Sequence, residues 1–141
     1  MQAVRSIEGA ATVVDAPVPV ADWPVLHVAA AGICGSDLGL VRFGLPVTLG
    51  HEIAGTVDGR AYCAEPTVAC GRCDQCVAGA TQRCRGPAPR GMLGLDLDGG
   101  MAERVAVPPD CLLELPPGLP VADASLVEPM AVCWQDRKSV V

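Results

Sequence analysis

Four cysteines fall within fifteen residues: Cys70, Cys73, Cys76 and Cys84, in the run Cys70-Gly71-Arg72-Cys73-Asp74-Gln75-Cys76, with Cys84 following after seven more residues. Two-residue spacers let a loop curl until successive sulfurs converge on one ion. Four thiolates suit a closed tetrahedral zinc site, with Zn–S near about 2.3 Å. Such a site has no open position, so it holds structure together and does not catalyse. Four thiolates leave a zinc ion formally dianionic, and Arg72, Arg83 and Arg85 beside the ligands offset that charge. A redox pair or a disulfide knot would also use these residues. Against them, Met1-Gln2-Ala3-Val4-Arg5-Ser6-Ile7-Glu8-Gly9 has no basic stretch followed by an apolar block, so it does not read as a secretory leader. A cytoplasmic location, where thiols stay reduced, is therefore expected, and metal binding is favoured over pairing.

A second constellation is more dispersed. Gly32-Ile33-Cys34-Gly35-Ser36-Asp37 offers a thiol, Gly50-His51-Glu52 an imidazole and a carboxylate, and Glu128-Pro129 another carboxylate. One Cys, one His and one Glu would make a three-ligand set that leaves a fourth position on zinc for water or substrate. Taken singly, each piece also fits a plainer role, a buried thiol or a satisfied polar pair. His27, Cys63 and Cys111 sit in apolar strand patterns and read as structural; Cys133 has no partner in sequence; Trp134 is expected in the core.

The elements that must hold these residues are short. The 141 residues give room for one domain. Half are apolar, yet the aromatics are only Trp23, Phe43, Tyr62 and Trp134. Gly and Pro make up about a fifth of the chain, against about 12% in an average protein. That much punctuation excludes a long-helix bundle and favours short strands joined by turns. The net charge of −6 argues against a nucleic-acid binder. The most apolar stretch, 25–34, is broken by His27 and Gly32 and falls far short of the ~20 residues that span a bilayer, so no membrane partner is expected. Strands are predicted over 26–31, 53–57, 61–64, 101–107 and 111–115, and a short helix over 36–43, closed by Gly44 and Pro46. Asp58-Gly59 marks a two-residue hairpin turn, 70–91 a cysteine-rich loop, and 120–126 the opening of a helix. The fold class is mainly β, with short helices and a cysteine lobe.

The order of motifs adds to this. Gly-Ile-Cys-Gly-Ser-Asp, then Gly-His-Glu-x-x-Gly, then the four-cysteine run, then Asp-Gly-Gly-Met-Ala-Glu, then Glu-Pro-Met-Ala-Val resembles the zinc-containing medium-chain alcohol dehydrogenases, and among them the polyol type that includes sorbitol and threonine dehydrogenases. The resemblance covers about residues 1–134. It implies a GroES-like, partly open β-barrel over 1–127 with a structural zinc lobe at about 66–92, and a segment, 128–141, leading towards a cofactor domain. It further implies two zincs per chain: a structural one on Cys70, Cys73, Cys76 and Cys84, and a catalytic one on Cys34, His51 and Glu128. Glu52 would be a carboxylate that enters or leaves the zinc shell, Asp37 the acid that orients the zinc-bound His, and Ser36 the hydroxyl that takes the substrate proton. The implied substrate is a small alcohol or polyol, oxidised to an aldehyde or ketone by hydride transfer to NAD(P).

The sequence also departs from that family. No Gly-x-Gly-x-x-Gly follows a strand, so the Rossmann domain and its nucleotide site are missing from these residues. Gln135 to Val141 do not resemble the family's continuation. Gly39 stands where relatives often carry a relay His, and the stretch 53–64 is shortened. The expectation is therefore a zinc-bearing catalytic domain that is inactive until a cofactor domain is supplied. Its alternative is a free-standing zinc-binding β-barrel with an interaction role, and apolar surface left uncovered could drive homo-oligomer formation.

Overall fold

Both tight hairpins of the chain are built on turns that require positive φ. In a computed structural model, which describes residues 1–20 and 22–137, Gln2–Ile7 (β1) and Ala10–Asp15 (β2) pair antiparallel around Glu8 and Gly9, at φ 51° and 78°. Ile53–Val57 (β4) and Arg60–Ala64 (β5) pair around Asp58 and Gly59, at φ 48° and 78°. Positive φ at both central residues matches the right-handed twist of the flanking strands. The second hairpin is the expected one. The first is not among the expected elements, although Glu8-Gly9 carries a weaker form of the same signal.

Val25–Ala31 (β3), β4 and β5 form the centre of a five-stranded antiparallel sheet. Arg104–Ala106 (β8) adds to the outer side of β3, and Leu112–Glu114 (β9) to the outer side of β5. Thr67–Val68 (β6) and Gly91–Met92 (β7) make a separate two-stranded ladder at the base of the cysteine lobe. The strand expected over 101–107 shrinks to β8. Residues 101–103 are instead spread over three partners: the Met101 N–H donates to Leu49, Ala102 bridges Ala3, and the Glu103 N–H donates to Gln2. Those contacts tie the N-terminal hairpin to the main sheet.

One face of the sheet closes over Leu26, Ile53, Val68, Leu93, Val105 and Val107, with Trp23 and Tyr62 packed at the margin. A smaller cluster of Ala54, Cys63 and Ala124 lies beneath a 3₁₀ segment, Val121–Leu126. The helix expected at 120–126 is this 3₁₀ segment. It runs directly into Val127–Arg137, where Pro129 is tolerated in the first turn because no intrahelical N–H is needed there. Trp134 lies on the outer side of this last helix and is 56% exposed, which corrects its expected place in the core. It shares that side with Leu126, Pro129, Met130 and Cys133. No helix among the described residues is long and apolar enough to cross a membrane.

Among the described residues there are three α-helices. Gly35–Phe43 (α1) ends at Gly44, whose φ of 68° is the left-handed cap that a glycine adopts freely. Asp74–Val77 (α2) is a single turn inside the lobe. Val127–Arg137 is α3. Of the C-terminal stretch that departs from the family pattern, Gln135, Asp136 and Arg137 continue α3; 138–141 lie outside the described residues.

Two candidate metal centres

In the lobe, the four sulfurs of Cys70, Cys73, Cys76 and Cys84 lie within 4.8 Å of one another. The Cys73–Cys76 and Cys70–Cys76 sulfur separations are 3.5 and 3.9 Å. A tetrahedron with Zn–S of about 2.3 Å has edges of about 3.8 Å, whereas a disulfide brings sulfurs to about 2.0 Å. The spacing is that of ligands around an ion, and none of the eight cysteines is paired. Local chain geometry places each one. Cys73 caps α2, and its carbonyl accepts the Val77 N–H at 2.9 Å. The Cys84 sulfur accepts the Cys70 N–H at 3.2 Å. Arg85 pairs with Asp74 through two guanidinium nitrogens, Nε and Nη2, holding the Cys84 side of the loop to α2 and keeping the Asp74 carboxyl below its ordinary range.

These sulfurs differ in acidity when no cation is present. Backbone N–H groups of Arg85 and Cys76 hold the Cys73 thiol down at about 6, and the Cys70 N–H lowers Cys84. Burial, followed by the neighbouring thiols, pushes Cys76 up to about 12. Outside the lobe, burial raises Cys63 and takes Cys111 to about 11. Thiolates are the reactive form. In the metal-free chain at pH 7, while the lobe keeps this geometry, iodoacetamide is therefore expected to modify Cys73 first and Cys76, with the buried Cys63 and Cys111, last, as read by peptide mass spectrometry. Zinc should protect all four lobe sulfurs. Because the Cys73 value lies below that of a free thiol, its thiolate favours the folded lobe above pH 9, and that contribution fades as pH falls through about 6. Protons then also compete with metal. Uniform labelling of all eight thiols would contradict this ordering.

The second centre joins three separate stretches of chain. Cys34 precedes α1, and His51 and Glu52 precede β4. One donor atom each from Cys34, His51 and Glu52 lies within 4.8 Å of the others, with the imidazole and carboxylate buried. Asp37 holds the arrangement from behind. Its Oδ2 accepts the Cys34 N–H at 2.9 Å, closing the capping box of α1. Its Oδ1 is the only buried side-chain polar atom among the described residues that lacks a hydrogen-bond partner, and it lies 3.7 Å from Nδ1 of His51. With Nδ1 turned to a carboxylate, Nε2 is left for a cation. Ser36 Oγ lies 3.5 Å from that Nε2 at the exposed side. A thiolate, an imidazole and a carboxylate with an open side suit zinc in a catalytic geometry.

Glu128 is not one of the three clustered donors. It sits in the first turn of α3, where burial raises its carboxyl, His51 lowers it and Glu52 raises it. The charges of the cluster therefore reach it. It lines an open groove of about 660 Å³ between α3 and β5, which none of Cys34, His51 and Glu52 lines. Position 39 is open as well: a Cβ there would meet no atom within 4 Å. His27 and Cys133 are exposed and outside both clusters, whereas Cys63 and Cys111 are buried within strands or beside them.

Residues 20–117 match the alcohol dehydrogenase GroES-like domain. The chain belongs to this family. An uncharacterised zinc-type alcohol dehydrogenase-like protein of Haemophilus influenzae is 33% identical over 77% of this chain and 36% of its own length. Galactitol 1-phosphate 5-dehydrogenase of Escherichia coli is 31% identical over 76% of this chain and 34% of its own. The crystal structure of galactitol-1-phosphate dehydrogenase from Escherichia coli superposes with a TM-score of 0.84 at 28% identity, covering 94% of this chain and 43% of that one. A protein from Sinorhizobium meliloti described as a zinc-binding dehydrogenase, solved with NADP, gives 0.81 at 35% identity, with coverages of 94% and 43%. The chain thus spans between a third and less than half of these relatives. The mainly β, GroES-like fold and the zinc dehydrogenase kinship follow.

Glycines carry a part of both centres that spacing does not reveal. A Cβ at Gly86 would overlap the Cys70 sulfur. Gly94 and Gly99 pack against the carbonyl of Gly50, whose own φ is 94°, so the loop that presents His51 is built on three backbone segments in close approach. A high glycine content is visible in sequence; which glycines touch which ligands is not.

Proposed function

We propose that this chain supplies the catalytic-metal half of an NAD(P)-dependent alcohol or polyol dehydrogenase, with residues 1–127 as the catalytic domain and 128–141 leading away from it. The convergence of Cys34, His51 and Glu52 in front of the Asp37 carboxylate is the observation that carries the reading. Each residue then has a defined task. Cys34 and His51 would hold the cation, Glu52 would share its shell, and Asp37 fixes the imidazole by facing Nδ1. Glu128, whose carboxyl feels both His51 and Glu52 although it lies outside the cluster, would be a further carboxylate for the ion. Zinc bound there supplies Lewis-acid polarisation of a hydroxyl. Ser36 Oγ, exposed beside His51, would take the substrate proton and pass it to water or to cofactor hydroxyls, since Gly39 supplies no side chain to accept it. The lobe holds a second zinc on Cys70, Cys73, Cys76 and Cys84, with a structural task. The hydride acceptor would be a nicotinamide, and these residues carry no fingerprint for one.

Metal analysis tests this. The chain is expected to retain two zinc equivalents, and Cys34→Ser to retain one, with the lobe zinc in place. One equivalent in the unsubstituted chain would favour a zinc-binding barrel with an interaction role instead. Tight NAD(H) binding by the chain on its own would overturn the division of labour between metal and cofactor.

A further inference from the structure

Gly32 lies between the end of β3 and Cys34, and its N–H donates to the Glu52 carbonyl at 2.8 Å. A Cβ built at Gly32 would overlap Oε2 of Glu52 and stand 2.9 Å from its Cβ and 3.0 Å from its Cδ. All three of the nearest atoms belong to one residue, and that residue is a donor of the second metal centre. Gly32 is not among the positive-φ glycines, unlike Gly50 at 94°. Its φ does not demand glycine, so its lack of a side chain is accounted for by space and not by conformation. Glu52 is 7% exposed, and a buried carboxylate needs a cation or donors beside it.

We propose that Gly32 is a positioning residue for the second metal centre: the hydrogen in place of a side chain is what seats the Glu52 carboxylate beside Cys34 and His51. The proposal rests on the reading of those three residues as a metal site. The backbone bond from Gly32 fixes where the Glu52 main chain runs. The vacant volume at Gly32 then receives the end of its side chain, turning the carboxylate towards Cys34. A methyl group at position 32 takes that volume. The carboxylate terminus is the flexible end of a side chain and swings away; Glu52 Cβ, 2.9 Å off, cannot, so the two backbone segments also part slightly, and the site keeps two of its three clustered donors.

Competition titration of the metal-free chain against a chelator, with zinc for affinity and cobalt(II) for its ligand-field spectrum, tests this in five forms: unsubstituted, Gly32→Ala, Glu52→Gln, the two combined, and Cys34→Ser. Gly32→Ala is expected to weaken the second site about 10–100-fold, the range for a lost support of a metal ligand, and to leave the lobe site unchanged. Its cobalt spectrum should match that of Glu52→Gln. The combined variant should be no weaker than Glu52→Gln alone, because Gly32 acts only through that carboxylate. Unsubstituted affinity in Gly32→Ala, or losses that multiply in the combined variant, would overturn the proposal while Cys34→Ser still loses one equivalent. If Cys34→Ser keeps both equivalents, the metal site itself is refuted and the proposal with it. If Gly32→Ala does not fold, Gly32→Ala with Glu52→Gly removes every atom of the overlap, the Glu52 Cβ included. Recovery of the thermal transition then supports the contact, and no recovery overturns it.

Discussion

Cys84→Ser is expected to strip one zinc from the chain and to open residues 69–92 to proteases while the sheet stays folded. The lobe has little else to hold it. No residue from Ala69 to Met92 is buried. Its helix α2 has four residues and its base strands two each, far below the length at which a helix stands in water. The Arg85–Asp74 pair is exposed on both sides, and such pairs contribute little. None of these features holds the lobe, so on the proposed reading of the four sulfurs as a zinc site the metal is expected to order it; structural zinc sites bind with an apparent free energy of about 10–16 kcal/mol. On that reading Cys84 contributes twice, as a ligand and as the acceptor of the Cys70 N–H. Limited proteolysis with fragment mapping, together with metal analysis, reads both effects. A lobe that keeps its zinc and resists cleavage after the substitution would show that packing holds it.

Leu26→Ala should have the opposite distribution, with a weakened sheet and an intact lobe metal. Leu26 is fully buried on β3, which has β8 on one side and β4 on the other. Gly55 on β4 packs so closely that a Cβ there would stand 3.0 Å from Leu26 Cγ. With so few aromatics, the core depends on aliphatic side chains such as this one. A buried Leu→Ala change costs about 2–5 kcal/mol, depending on how far the site collapses. The backbone of Gly55 and the pinned ladders on both sides leave little room for collapse, so the upper part of that range is expected in urea unfolding. That is a large share of the about 5–15 kcal/mol that holds a domain folded. A loss below about 1 kcal/mol would mean that the core relaxes around position 26.

What could be read in the sequence was what is local. Cys70, Cys73, Cys76 and Cys84 announce their site because a loop of that spacing curls on itself without help from the fold. Asp58-Gly59 announces its hairpin because two residues of backbone decide it. Cys34, His51 and Glu52 are different. Their meeting depends on β3 pairing with β4 and on the loop before β4 packing against Gly94 and Gly99, and spacing alone leaves those open; the order of five motifs pointed to them. Glu8-Gly9 carried a turn signal too weak to stand without the pairing of β1 with β2. Trp134 was misplaced because a large apolar residue near a chain end reads as core when the face it occupies is unknown. Gly32, Gly86 and Gly94 are ordinary in sequence, since the atoms they make room for come from other segments.

The pairing of β6 with β7 gives the lobe an unusual relation to its host. Thr67 faces Met92 and Val68 faces Gly91, so the chain departs and returns through one doorway two residues wide. A tight turn joining Val68 to Gly91 would close the same ladder without disturbing the register of any other strand. The lobe is in this sense an appendix to the sheet. It can be lengthened, shortened or exchanged for another metal-binding loop while β3, β4 and β5 go on presenting Cys34, His51 and Glu52. For lineages and for engineers alike, that makes the lobe the part of this fold that can be gained or lost in one step.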